Sequence, residues 1–194
     1  MKLWVVRHGE SEANAAHMHG GWFQASLTEK GRAQAARAGE FLVEIPFERV
    51  IASDLVRAIQ TAQAALPGRD IETEPLIREI NVGTLQGRLV SECLEIYGQP
   101  YVENKRRGDY TPYGGENHEM HLARIAEFMK KAESFKGENI AVFTHEYVLR
   151  GMLDLVLGIE IPKSRISCSN CCIGVFEFDG STWKLYGWHN YREA

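Results

Sequence analysis

Met1-Lys2-Leu3-Trp4-Val5-Val6-Arg7-His8-Gly9-Glu10-Ser11-Glu12-Ala13-Asn14 decides the fold. Leu3–Val6 is a short apolar run of β-formers, the pattern of a strand buried on both faces. It delivers Arg7, His8 and Gly9 to its C-terminal end, the edge at which open α/β sheets bind ligands. Gly9 permits a sharp turn or a close approach to a ligand. Ser11, with Asn14 in reach, offers a helix cap. A histidine beside an arginine at that edge suits an anionic group.

The same kind of strand recurs downstream. Arg49–Ala52 is short and apolar, Asn139–Thr144 is longer, and Ile71–Leu76 is weaker. Thr28 caps a helix expected to run to Glu44, with Ala33, Ala36 and Ala38 permitting close packing. Ser53 or Asp54 is expected to cap an alanine-rich helix ending at Leu66-Pro67-Gly68. Arg78–Gly87 reads as irregular and Leu89–Tyr97 as a helix closed by Gly98. Gln99–Gly115 reads as a long loop, basic at Lys105-Arg106-Arg107, of a length that often serves as a lid. Glu116–Phe135 is amphipathic, and Val148–Leu157 is a further helix ended by Gly158. Val175–Phe178 and Trp183–Tyr186 alternate around Asp179-Gly180, a hairpin signal.

Strands alternating with helices imply a mostly parallel sheet with helices on both faces and an antiparallel hairpin edge near the C-terminus. The 194 residues suit one α/β domain over 1–194, large enough to bury a core without staples. A net charge of −4 argues against general nucleic-acid binding, so any positive site is local. No signal peptide and no membrane-length apolar run are read, which makes a cytoplasmic location the expectation. Cys168, Cys171 and Cys172 crowd together, but no second pair completes a zinc set. They read as small apolar residues, and no metal or cofactor is expected.

Two strands end in histidine, His8 and His145, and a third leads through Ser53-Asp54 to Arg57 on the first turn of a helix. Topology can gather His8, His145, Arg7 and Arg57 at one edge. Two guanidinium groups hold phosphoryl oxygens in fork-like bonds. A neutral imidazole can attack phosphorus, a second can stabilise the transferring charge, and a carboxylic acid can protonate the departing alcohol. These residue types equally serve as buried structural polar groups and solvated helix charges.

Arg7-His8-Gly9-Glu10 with Asn14 resembles the signature of the histidine phosphatase superfamily, the phosphoglycerate-mutase-like proteins. Further segments resemble its later blocks in order: Gly21-Trp22-Phe23, Leu27-Thr28-x-x-Gly31, and Ala52-Ser53-Asp54-Leu55-x-Arg57-Ala58-x-Gln60-Thr61-Ala62. Glu79 with Gly83-x-Leu85-x-Gly87, Gly114-Gly115-Glu116 and Phe143-Thr144-His145 follow, and Asn170 and Asn190 fit its last strands. The resemblance implies that His8 becomes phosphorylated and that Arg7, Arg57 and His145 complete the phosphate pocket. It makes Glu79 the proton donor and Asn14, Gly21 and Trp22 substrate contacts, without a metal.

Three positions depart from that pattern. Glu146 stands where the family usually has Gly, Gly20 replaces a hydroxyl residue, and Val90 falls where the mutases place a Lys. Arg106-Arg107-Gly108 resembles a paired-arginine segment of the mutases, which would make Arg106 and Arg107 substrate-binding. Glu146 either repels the phosphate or anchors substrate. The expectation is a phosphatase of small phosphate monoesters. The alternatives are phosphoryl transfer within a phosphorylated acid, or a catalytically weak member that binds phospho-ligands. Neither the physiological substrate nor the oligomeric state is legible.

Overall fold

Alternation along β1 (Lys2–Arg7) sends Leu3 and Val5 to one face and Trp4 and Val6 to the other, and both faces are covered. The computed structural model describes residues 1–159 and 166–190. After β1 come α1 (Glu12–Ala15), α2 (Glu29–Leu42), β2 (Arg49–Ala52), α3 (Val56–Ala65), β3 (Glu72–Thr73) and α4 (Val90–Arg107). Then follow α5 (His118–Ala132), β4 (Asn139–Thr144), α6 (Glu146–Leu157), β5 (Ile173–Phe178) and β6 (Trp183–His189).

The six strands lie in the order β3-β2-β4-β1-β5-β6. The first four pair in parallel, while β5 and β6 are antiparallel to their neighbours. This is the single α/β domain that the alternating pattern implies. Leu3, Val5, Ile140 and Val142 pack against Ile125, Phe128, Val148 and Met152 of α5 and α6. Val6, Val50, Ala141 and Phe143 pack against Leu42, Ala62 and Ala65 of α2 and α3. A third apolar cluster, with Ile80, Val82, Leu85, Cys93, Tyr101, Tyr110 and Tyr113, builds a cap from residues 80–113.

Several element boundaries differ from the expectations. Gln99–Arg107 is helical, where a loop was the reading. Gly98 (φ 59°, ψ −145°) kinks α4 rather than ending it, and Pro100 then sits in the restarted first turn, where its missing N–H costs little. The Lys105-Arg106-Arg107 run is the last turn of this helix, where cations suit the helix dipole, before Gly108 at φ 67° ends it. Strand β3 is two residues long, because Pro75 opens a 3₁₀ turn over Pro75–Ile77.

Ser53 and Asp54 do not cap α3. Its N-cap is Leu55, without a side-chain cap, and Asp54 instead receives Arg78 through both carboxylate oxygens. Helix α6 begins at Glu146, two residues before the expected start. The stripe that α2 buries is Gly31, Ala35, Ala38, Gly39 and Leu42, whereas Ala33 and Ala36 are exposed.

Gly9 answers to protein backbone rather than to a ligand. A Cβ there would stand 2.3 Å from the carbonyl oxygen of Gly31, and a Cβ on Gly31 would stand 2.0 Å from that of Glu10. The turn after β1 and the start of α2 therefore touch through bare backbone. Gly31→Ala is expected to lower the unfolding free energy by about 2–3 kcal/mol through forced displacement of that turn. Urea denaturation measures this, and an unchanged midpoint would show that the two segments part freely.

Candidate active site

Parallel pairing of β1 with β4 sets Arg7 beside Thr144. The next residues, His8 and His145, therefore leave the sheet side by side, with ring centroids 5.2 Å apart. Pairing of β2 with β4 sets Ala52 beside Phe143, so Ser53 joins the same row and α3 carries Arg57 over it. The chain leaves β1 toward the face covered by α2 and α3, and leaves β4 toward α6 on the opposite face. Connections that part in this way open a crevice at the strands' C-terminal ends.

His8 is 3% exposed. Its Nδ1 lies 2.6 Å from the Gly9 carbonyl oxygen, which can only accept, so Nδ1 carries the proton. That leaves a lone pair on Nε2, which accepts from Arg57 Nε at 3.2 Å. The rest of the Arg57 guanidinium donates to the carbonyls of Phe23 (2.9 Å) and Gly21 (2.7 Å). Arg57 is thus a buried cation whose hydrogen-bond partners among the described residues are all neutral. Burial, then the nearby Arg7 against an opposing pull from Glu79, lowers its pKa to about 10.

Burial first, then the charges of Arg57 and Arg7, holds the His8 pKa well below the usual imidazole value. His145 is depressed chiefly by burial, then by Arg57 and His8. His145 Nε2 lies 2.9 Å from Ser53 Oγ, and its buried Nδ1 has no partner among the described residues.

Arg7 donates through Nη1 to the Cys168 carbonyl and to Glu146 Oε2, the latter at 3.0 Å. Its buried Nε has no partner among the described residues. Glu146 Oε1 accepts from Arg150 Nε at 2.9 Å. The carboxylate that departs from the family pattern is therefore turned onto two arginines, which offset its repulsion of an anion. The β5 entry turn closes the same edge: Asn170 Nδ2 donates to the His8 carbonyl (3.0 Å) and the Cys171 N–H to that of Arg7 (3.1 Å).

A cavity of about 350 Å³ opens over these groups. Arg7, His8, Arg57, Gly21, Asn14, Glu79 and Glu146 line it, together with Ser11, Met18, His19, Val82, Val90, Lys105, Tyr110 and Tyr147. His145 packs behind His8 and does not reach the lining. Trp22 also stays out of it. Its Nε1 donates to the Glu79 carbonyl at 2.7 Å, and its ring lies 4.7 Å from the Arg78 guanidinium carbon. Asn14 completes a capping box with Ser11. Arg106 and Arg107 are exposed and outside the lining, and the cation of that run which reaches the wall is Lys105.

Some of these residues escaped the sequence reading. Lys105 was one member of a charge run whose facing depended on the kinked helix. Thr61, which accepts the Gly9 N–H at 3.1 Å, lies one turn beyond Arg57 on α3. His19 stands in the cap, with Nε2 2.6 Å from the Tyr101 hydroxyl, and burial followed by Lys105 lowers its pKa to about 4. The cysteines are free and buried. Among the described residues no group of three His, Cys, Asp or Glu side chains is arranged to hold a metal ion, and no helix is long and apolar enough to cross a membrane.

Paired imidazoles and two arginines at a sheet's switch point are an arrangement suited to an anionic phosphoryl group. The profile of the histidine phosphatase superfamily (branch 1) matches residues 3–191, and the chain belongs to that family. It is 34% identical over 156 residues to the adenosylcobalamin/alpha-ribazole phosphatase of Salmonella typhimurium, covering 77% of this chain and 76% of the relative. It is 33% identical over 192 residues to phosphoglycerate mutase-like protein 4 of Arabidopsis thaliana, covering 95% and 83%. The alpha-ribazole phosphatase of Shigella flexneri shares the fold, with a TM-score of 0.87 and 23% identity over 98% of this chain and 96% of that one. Proteins named as a phosphatase and as phosphoglycerate mutase-like are thus both among its relatives.

The depressed histidines make stability depend on pH. Each of His8, His145 and His19 binds its proton more weakly folded than unfolded. Their contribution is therefore present above pH 6.5 and is lost as pH falls below it. From pH 6 to pH 5 His19 alone should cost about 1.2 kcal/mol of unfolding free energy, and His8 and His145 should add losses of the same sign. Urea titrations at the two pH values test this, and His8→Gln should make the difference smaller.

Proposed function

We propose that the protein is a phosphatase that hydrolyses small phosphate monoesters through a phosphohistidine on His8. The observation that carries this reading is Arg57, a buried guanidinium that touches the nucleophile's lone-pair nitrogen and has only neutral hydrogen-bond partners among the described residues. A buried charge with no charged hydrogen-bond partner is costly, and an anionic ligand at this point supplies one. Arg7, whose buried Nε lacks a partner among the described residues, adds a second cation for the two charges of a phosphate monoester.

In the first step His8 Nε2 attacks phosphorus, the N–P bond forms and the ester P–O bond breaks. Glu79, on the cavity wall, gives its proton to the departing alkoxide. In the second step water attacks phosphorus and passes a proton to Glu79, and the N–P bond breaks to release inorganic phosphate. Neutral imidazole is the required form of the nucleophile, and burial beside two arginines favours that form. His145 packs behind His8, with its Nε2 against the Ser53 hydroxyl, and holds the nucleophile's ring in place.

The arginines supply the charge stabilisation that other phosphatases draw from metal ions, so activity is expected to survive chelation by EDTA. Four free, buried cysteines fit the reducing cytoplasm, and the negative net charge fits a small-molecule substrate rather than nucleic acid or an anionic membrane. The second reading is a mutase, favoured by the mutase-like relative from Arabidopsis. Against it, the cavity wall offers Lys105 but neither Arg106 nor Arg107 to hold a substrate carboxylate, and Val90 adds no charge.

Brief incubation with a ³²P-labelled monoester, quenched in base, should leave label on His8. His8→Ala should abolish the label and cut kcat/KM by at least about a thousandfold. Incubation with 3-phosphoglycerate should give more free phosphate than 2-phosphoglycerate. An active, unlabelled enzyme would end the phosphohistidine reading, and rapid interconversion with little phosphate released would replace phosphatase by mutase.

A further inference from the structure

Glu79 lies between two short 3₁₀ turns, Pro75–Ile77 and Gly83–Leu85, with no strand or long helix to hold it. Much of what holds it comes from α5 in another layer. Arg124 on α5 spends all its N–H groups beneath this stretch. Nη1 donates to the carbonyls of Leu76 (2.7 Å) and Arg78 (2.9 Å). Nη2 donates to the carbonyl of Glu79 (3.2 Å) and to Glu116 Oε2 (2.9 Å), with His121 Nδ1 at 3.0 Å. Nε donates to Glu116 Oε1 at 3.0 Å. Glu116 closes the ring by accepting the Asn81 N–H at 2.8 Å.

One ion pair therefore binds backbone groups at positions 76, 78, 79 and 81, on both sides of Glu79. Trp22 Nε1 reaches the same Glu79 carbonyl. The Glu79 carboxylate is itself held locally, with Oε1 accepting the Ile80 N–H at 2.9 Å. That bond exists only for a narrow range of backbone angles at Glu79 and Ile80. Helix α5 is a firm base, because Ile125, Phe128 and Met129 anchor it in the main core.

We infer that Arg124, locked by Glu116, is a positioning residue for proton transfer, fixing the backbone of the segment that aims the Glu79 carboxyl into the cavity. This rests on the reading of Glu79 as the proton donor. Burial raises the Glu116 pKa, but the neighbouring His121 and the bonds from Arg124 and Asn81 outweigh it and bring it to about 2. The clamp is thus charged throughout the neutral range.

A proton donor matters most when the leaving group is a poor anion. It contributes about 10²–10⁴-fold for such substrates and little for those that leave as a stable phenolate. Arg124→Met should therefore lower kcat for β-glycerophosphate by about a hundredfold, while changing kcat for p-nitrophenyl phosphate by less than about threefold. KM for both substrates and inhibition by vanadate should stay within about twofold, since neither reports on the proton donor. Glu79→Gln should show the same split between substrates, and Glu79→Gln with Arg124→Met should be no worse than Glu79→Gln alone, because the two act as a unit.

Glu116→Gln keeps the shape of the clamp and weakens its charge. It should give a smaller split of the same sign, and it carries the test if Arg124→Met does not fold. If Glu79→Gln shows no discrimination between leaving groups, the proton-donor reading fails and the inference goes with it. If Glu79→Gln discriminates but the Arg124 and Glu116 variants lose activity equally on both substrates, Arg124 is merely structural and the inference alone is overturned.

Discussion

Every part of the site depends on the parallel pairing of β1 with β4. Its register sets the last residues of the two strands opposite one another, so the two histidines that follow cannot avoid being neighbours. A slip of one residue would send Val5 and Val6 to the wrong faces as well as part the imidazoles. The apolar alternation that builds two cores therefore also fixes the spacing of the two rings. Opposed helix connections then turn the strand ends into a crevice, and α3, starting beyond β2, lays Arg57 across it.

The electrostatics follow from burial. Two imidazoles and a guanidinium packed out of water raise the cost of every proton and charge among them, which holds the rings neutral and leaves Arg57 short of a counter-charge. Such an arrangement costs folding stability and favours an incoming anion. Glu146 moderates it from the edge. By pairing with Arg7 and Arg150 at once, it occupies one nitrogen of Arg7 and leaves the buried Nε of the same group without a partner among the described residues.

The cap answers a different need. The Glu79 carboxyl, the proposed proton donor, stands above the strand ends, where no sheet supports it. Bare backbone contact and one ion pair supply the support. A Cβ on Gly83 would lie 1.9 Å from the Tyr113 carbonyl oxygen and one on Gly115 would lie 2.3 Å from that of Asn81, so the Glu79 segment is pressed against the end of the cap as well as tied to α5.

Much of this was legible in the residues. Apolar runs of four to six residues ending in His8, Ala52 and His145 identify buried parallel strands, because burial on both faces demands them. Ser11, Thr28 and Gly158 mark helix ends for equally local reasons. The histidines and arginines of the candidate site were readable because strand ends and first helical turns are short-range features. Four things were decided by the tertiary structure alone. Gly98 kinks a helix instead of ending it, because the cap buries Tyr101 on the continuation. Lys105 faces the cavity while Arg106 and Arg107 face water, which depends on the rotation of that second helical segment. Trp22 serves the Glu79 backbone rather than the lining, and Arg124 does the same from 45 residues away. Local sequence reports propensity and periodicity, whereas the partner of a long polar side chain is chosen by whatever distant backbone the packing brings within 3 Å of its tip.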